Sequence, residues 1–176
     1  KLGSDHTYVY MTSNNLANAY IAANKLPQAI AVLEQVTRSI EKKGFSHEYA
    51  QHFISNLIAV CEQAEQWGNA ELWRRKWLIV IKQKSVVESA EYAGGLTALG
   101  LNLLQQKKWT DAQVVLRESL AIREKKQPDA WTTFNTQSLL GWALLGQEKY
   151  ADAELLLLKG YEGMKAREKT IPKGSE

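Results

Sequence analysis

The 176-residue sequence predicts an all-α solenoid of four helix-turn-helix repeats. Four alanines recur 41, 42 and 41 residues apart, each 13 residues after a leucine and shortly after a bulky residue. The alanines are Ala29, Ala70, Ala112 and Ala153, the leucines Leu16, Leu57, Leu99 and Leu140, and the bulky residues Leu26, Trp67, Trp109 and Tyr150. Such a period is typical of repeats that bury their apolar faces against their neighbours. Apolar residues follow helical spacing throughout, and no strand-like alternation competes with it.

The first repeat shows how each element is expected to form. Leu16, Ala17 and Tyr20 lie on one helical stripe, and the pattern breaks at Asn24. Pro27 suits the first turn of the second helix, where its missing N–H has no partner to lose. The second apolar stripe runs over 29–40, and Gly44 is placed to end it.

The same reading extends to the other repeats. We expect them at about 7–44, 48–84, 86–127 and 129–169, in a single array over 1–172, with a disordered tail at 173–176. Pro128 separates the last two, because a residue before proline avoids helical angles. Ala17, Gly100 and Gly141 share one position of the first helices, with Ile58 in the second repeat. A small residue there lets the paired helix approach closely.

Composition narrows the class of protein. The formal charge is +3, with acidic and basic residues intermixed, which argues against a nucleic-acid surface. Neither a membrane span nor a signal peptide is expected. The lone cysteine, Cys61, is expected to be a core residue and favours a cytoplasmic location. The sequence begins at Lys1 in what reads as the end of an earlier repeat, so we expect an excised piece of a longer protein.

The pattern resembles the tetratricopeptide repeat. Leu16-Ala17, Leu99-Gly100 and Leu140-Gly141 match its Leu-Gly/Ala pair, and Tyr20 matches the following aromatic position. The period exceeds the usual ~34 residues, and this extended form is similar to the kinesin light chain type. The segments that carry that similarity are 2–6, 14–17 and 120–125, while the second repeat departs most, at Ile58, Cys61 and Arg74.

Three C-terminal segments, 105–109, 146–154 and 160–164, also resemble repeat regions attached to bacterial serine/threonine protein kinases. The resemblance implies a right-handed α-α superhelix and a scaffolding or regulatory part of a larger bacterial protein. No catalytic, metal or cofactor residues are expected, because His47 and His52 lack the i, i+4 spacing of a helical metal pair and no phosphate loop is present. We therefore expect no enzyme activity in this chain.

In tetratricopeptide arrays the first helix of each pair lines a concave groove, so the resemblance implies candidate residues for binding a partner protein or peptide. They are Asn14, Asn15, Asn18, Ser55, Asn56, Gln63, Thr97, Leu101, Gln105, Ser138, Trp142 and Leu145. Amide side chains both donate and accept, which suits an extended peptide backbone. The other interpretation of Asn15 and Asn56 is that they bond the adjacent helix or loop.

The groove is expected to be polar at one end and apolar at the other. We expect Trp142 to lie exposed against a partner and Leu104 to be core. Two alternatives remain open: a spacer or self-association module without a peptide ligand, and single-stranded RNA binding, which the even mixture of charges disfavours.

Overall fold

The computed structural model describes residues 6–84 and 88–172. Over those residues it contains eight α-helices and one short 3-10 helix, Glu168–Thr170, and no strand. The α-helices are α1 (Thr7–Ala22), α2 (Leu26–Lys42), α3 (Ala50–Gln63), α4 (Trp67–Lys84), α5 (Ala90–Gln105), α6 (Trp109–Lys126), α7 (Trp131–Leu145) and α8 (Tyr150–Lys165). The all-α class expected from the periodicity is confirmed. The expected tail at 173–176 and the segment 2–5 lie outside the described residues.

The helices fall into two compact units. The first spans 1–80 and holds α1, α2, α3 and most of α4; the second spans 81–176 and holds α5 to α8. In the first unit α2 packs against α1 and α3, and in the second α6 packs against α5 and α7. Within each unit, these helices thus pack on their neighbours in sequence, as in a solenoid.

Every helix pair is joined by the same backbone turn. A residue with a left-handed conformation lies two positions before each second helix, at Asn24, Glu65, Lys107 and Glu148, with φ from 55° to 62°. The next residue then donates its N–H back across the helix end, as in the 2.8 Å bond from Lys25 N to Tyr20 O. This is the Schellman pattern that satisfies the last carbonyls of a helix. The turn therefore repeats in geometry although three of its four left-handed residues are Glu or Lys.

The small residues of the repeat lie where helices approach closely. All four marker alanines are buried. A Cβ added at Gly100 would stand 2.5 Å from Leu116 Cγ, and one added at Gly141 would stand 2.8 Å from Leu157 Cγ. Both values are far below van der Waals contact, so the expected role of these glycines in close pairing is confirmed. Gly44 ends α2 with φ +64°, also as expected.

An ion pair and a buried thiol mark the junction of α3 and α4. Arg74 Nε and Nη2 donate to the two carboxylate oxygens of Glu62 at 2.8 and 2.9 Å. Cys61 is fully enclosed, and burial, with smaller contributions from Glu34 and Glu62, raises the pKa of its thiol to about 12. The expected core role of Cys61 is confirmed, and Arg74, which departs from the family pattern, ties the second repeat together.

Leu16 is not a core residue, contrary to the expectation. It is 46% exposed, whereas Leu57, Leu99 and Leu140 are buried. The reason is its surroundings: α3 packs on α2 and α7 packs on α6, but in the described part of the chain no helix lies on the corresponding face of α1. Leu72 is likewise exposed rather than part of its helix's buried stripe.

Candidate partner-binding surfaces

An open cleft lies between the first helices of the first unit, α1 and α3. Its volume is about 270 Å³. The lining residues are Met11, Asn14, Asn15, Tyr49, His52 and Phe53. Met11 and Tyr49 are exposed large apolar side chains, and Phe53 forms the buried floor. An open apolar cleft edged by amides is suited to a peptide side chain and its backbone.

The cleft amides differ in how far the protein itself uses them. Asn56 Nδ2 donates to Asn14 Oδ1 at 2.8 Å and lies 3.2 Å from His52 Nε2. Asn56 therefore bonds the adjacent helix, which was one of its two interpretations. Within the described ranges, the Asn15 amide and Asn14 Nδ2 have no protein hydrogen-bond partner. These two amides can serve a partner.

The remaining candidates on this unit are accessible. Asn18, one turn beyond Asn14 on α1, is exposed, and so are Ser55 and Gln63 on α3. None of the three lines the cleft. The structure thus brings Asn14 and Asn15 together at the cleft and leaves the other three on the open surface around it.

Two candidates of the second unit are taken up by internal packing. Thr97 Oγ1 donates to Ala93 O at 3.0 Å and lies 2.8 Å from Ser119 Oγ and 3.3 Å from Thr136 Oγ1. Ser138 packs against α8, where a side chain on Gly160 would collide with its hydroxyl. Both residues hold helices together in this structure.

The apolar candidates on this unit have mixed exposure. Leu101 and Leu145 are exposed, and Gln105 is exposed on the same α5 face as Leu101. Leu104 is buried, as expected. Trp142 is half-buried rather than exposed as expected, because the faces of α7 on either side of it pack on other helices. Its contact with a partner stays a prediction.

A second open cleft lies between α1 and α2 and was not anticipated. It has a volume of about 520 Å³, and its rim carries Arg38, Lys42 and Lys43. Arg38 is paired with Glu34 at 3.6 Å and its guanidinium lies 5.8 Å from the Trp73 ring centre. These contacts stabilise α2 against α4, and none of the candidate residues lines this cleft.

Two negative findings apply to the described residues only. They contain no group of three or more His, Cys, Asp or Glu side chains placed to hold a metal ion. Their helices include none whose length and apolar content would suffice to cross a lipid bilayer.

The sequence of residues 93–126, most of α5 and all of α6, matches the family model of the tetratricopeptide repeat. No curated protein matches the chain. Among solved structures, the nearly identical TPR-like repeats assigned to a kinesin light chain of Podosopora anserina match with a TM-score of 0.79 at 19% identity, over 94% of this chain and 80% of that one. A single-substitution variant of the same protein gives 0.79 at 18% identity, over 96% and 81%.

A third solved structure, BtubC (BKLC) from P. vanneervenii, matches with a TM-score of 0.74 at 19% identity, over the whole of this chain and 70% of that one. At such identities the likeness concerns the fold. It confirms the α-solenoid class and the resemblance to tetratricopeptide repeats of the kinesin light chain type. The resemblance to kinase-attached regions stays a prediction.

Proposed function

We propose that this chain is a non-catalytic interaction module that binds an extended peptide segment of a partner protein on its first helices. Tetratricopeptide repeats generally bind proteins or peptides. The observation that carries the proposal is the α1–α3 cleft, where exposed Met11 and Tyr49 adjoin Asn14 Nδ2 and the Asn15 amide, which have no hydrogen-bond partner among the described residues. The cleft takes an apolar side chain, and the amides bond the backbone beside it.

The wider proposal follows the sequence prediction. The accessible candidates on the first helices are Asn18, Ser55 and Gln63 in the first unit and Leu101, Gln105 and Leu145 in the second. The module belongs to a larger bacterial protein, such as a serine/threonine kinase, and acts in the cytoplasm. Nucleic acid and membrane are not its partners, because the charges are evenly mixed along the chain.

The test starts from a display library of random linear peptides selected on the intact chain. Enriched peptides are then measured against Tyr49→Ala and Asn15→Ala. We expect a loss of about tenfold in affinity for each, equivalent to ~1.4 kcal/mol. Gln28→Ala, on the exposed face of α2, is the matched control and should bind as the unmodified chain does. Peptides that bind both cleft variants unchanged would refute the cleft as the binding surface.

A second candidate function, self-association, is favoured by the outer face of α8. Tyr150 and Tyr161 are 63% and 58% exposed, whereas Leu120, which holds the position of Tyr161 one repeat earlier, is 8% exposed. The earlier face is covered because α7 packs on α6, with Gly146 against the Trp109 ring. Exposed apolar faces of this kind commonly meet a partner, and here the fitting partner is a helix from a second copy.

Light scattering across a wide concentration range tests this second function. A mass that rises with concentration, and that Tyr161→Glu returns to the monomer, supports association through α8. Val114→Lys, on an exposed site of α6, is the control and should leave the mass unchanged. A constant monomer mass, or association that Tyr161→Glu does not alter, rules it out.

A further inference from the structure

Arg123, in the last turn of α6, is a buried cation without a partner. It is 7% exposed, and its Nε is enclosed with no hydrogen bond. Over residues 6–84 and 88–172 its guanidinium makes no hydrogen bond or ion pair. A buried charge is costly unless it is paired. Its donors are therefore available to an anion.

Among the described residues, no charged neighbour supplies an anion to Arg123. Burial alone lowers the pKa of its guanidinium, with no contribution from an acidic or a second basic group. The hydroxyl of Ser119, one turn earlier on the same helix, donates to Ala93 O at 2.8 Å and carries no charge to balance the guanidinium. Arg123 is thus a single cation with unused donors.

The space beside Gly94, where no side chain stands, borders this guanidinium and is called here the opening over Gly94. Arg123 Nη2 lies 3.8 Å from the place where a Gly94 Cβ would stand, and no other side chain comes within 4 Å of that place. Gly94 is partly exposed and lies on the α5 face that also carries Leu101 and Gln105, seven and eleven residues later. The missing side chain leaves the edge of the guanidinium next to a candidate partner-binding face.

We propose that Arg123 is an anion subsite that takes a carboxylate of an acidic peptide through the opening over Gly94. One guanidinium binds one carboxylate with two parallel N–H···O bonds. A single cation balances a monoanion, whereas a phosphate dianion would call for a second one. The partner segment therefore carries an Asp, a Glu or its own C-terminal carboxylate over α5, close to exposed Leu101.

In assigning the carboxylate to a peptide, the inference rests on the proposed function. The test therefore uses acetate, a bare carboxylate that needs no groove. If acetate fails to bind, peptide binding at the α1–α3 cleft still stands. If acetate binds and no peptide is ever selected, the subsite stands without the proposed function.

The experiment is an acetate titration of the ¹⁵N-labelled chain at constant ionic strength, followed by the arginine Nε–H resonances in NMR. Arg123→Met identifies the Arg123 signal by its loss. We expect that signal alone to shift saturably. Gly94→Ala should weaken acetate binding about tenfold, since a methyl group narrows the opening. Its Cβ meets no clash, so the fold is kept. Arg117→Gln, exposed on the same helix, is the control and should titrate like the unmodified chain.

Three results would overturn the proposal. The first is an Arg123 signal that does not shift saturably. The second is Gly94→Ala binding acetate as well as the unmodified chain, because the opening would then not be the route. The third is tighter binding of sulfate than of acetate, which would assign the site to a dianion and not to a peptide carboxylate.

Discussion

Two glycines of the same helix should respond in opposite directions to the same substitution. Gly100 faces α6, where an added Cβ would lie 2.5 Å from Cγ and Cδ2 of Leu116. Gly94, six residues earlier, would place its Cβ no closer than 3.8 Å to any neighbour. Both lie inside α5, so both gain the same helix propensity from alanine. The difference between the variants isolates the contact with Leu116.

The magnitudes follow from these distances. Alanine in place of glycine stabilises a helix interior by about 0.5–1 kcal/mol. Gly94→Ala should therefore raise the free energy of unfolding by that amount. At Gly100 the fully buried Leu116 has to move, and overpacking of this kind costs about 1–3 kcal/mol. Gly100→Ala should thus lower the stability by a net amount of up to ~2.5 kcal/mol.

Urea unfolding followed by far-ultraviolet circular dichroism measures both variants. The midpoint should rise for Gly94→Ala and fall for Gly100→Ala, with the same dependence on urea as the unmodified chain, since neither change alters the surface exposed on unfolding. If Gly100→Ala proved as stable as Gly94→Ala, the close approach of α5 and α6 at Leu116 would be refuted.

Three further predictions concern single contacts. Cys61 should not react with Ellman's reagent until the chain is unfolded, because its thiol is buried. Since burial raises the pKa of this thiol, the neutral thiol contributes its full stabilisation of the fold below pH 9, and that contribution is lost as the pH rises toward about 12. A double-mutant cycle of Glu62→Gln and Arg74→Met should give a coupling energy of about 0.5–1 kcal/mol by urea unfolding, because the pair is bidentate but partly exposed; a value near zero would contradict it. Gly160→Ala should cost more stability than Gly100→Ala in the same assay. The added Cβ would lie 2.9 Å from the backbone N of Ser138, and a backbone atom cannot move aside as the Leu116 side chain can. An equal cost would contradict this.

The repeat itself could be predicted from the sequence because its signals are local. The marker alanines and Gly100 lie at helix crossings where only small residues fit, so they recur at the period of the helices. The turns were predictable in position, since Asn24 and the Trp67-Gly68 step interrupt the apolar stripes. The left-handed conformation of the turn residues was not predictable, because Glu65 and Lys107 are not glycine, the residue that normally indicates this conformation.

The candidate site was predictable only in part. A helix position identifies residues on a face, as it did for Asn14 and Asn15, but not the contacts that neighbouring helices make with them. Asn56 and Thr97 share the groove-facing pattern and are nevertheless used by α1 and α6. The position of Arg123 in a helix-ending Arg-Glu-Lys segment reads as a solvated C-terminal charge. Access to its guanidinium depends on the side chain that is missing at Gly94 of α5, which sequence periodicity does not reveal.

The left-handed turn also determines where the chain tolerates a change in length. Each second helix begins two residues after the left-handed position, so one inserted residue there would rotate the following helix by about 100° and turn its marker alanine away from the crossing. The joints between pairs have no common length: α2 and α3 are joined by 43–49, and α6 and α7 by the shorter 127–130. We therefore expect inserted residues to be tolerated between pairs and to disrupt the packing when they fall within a turn.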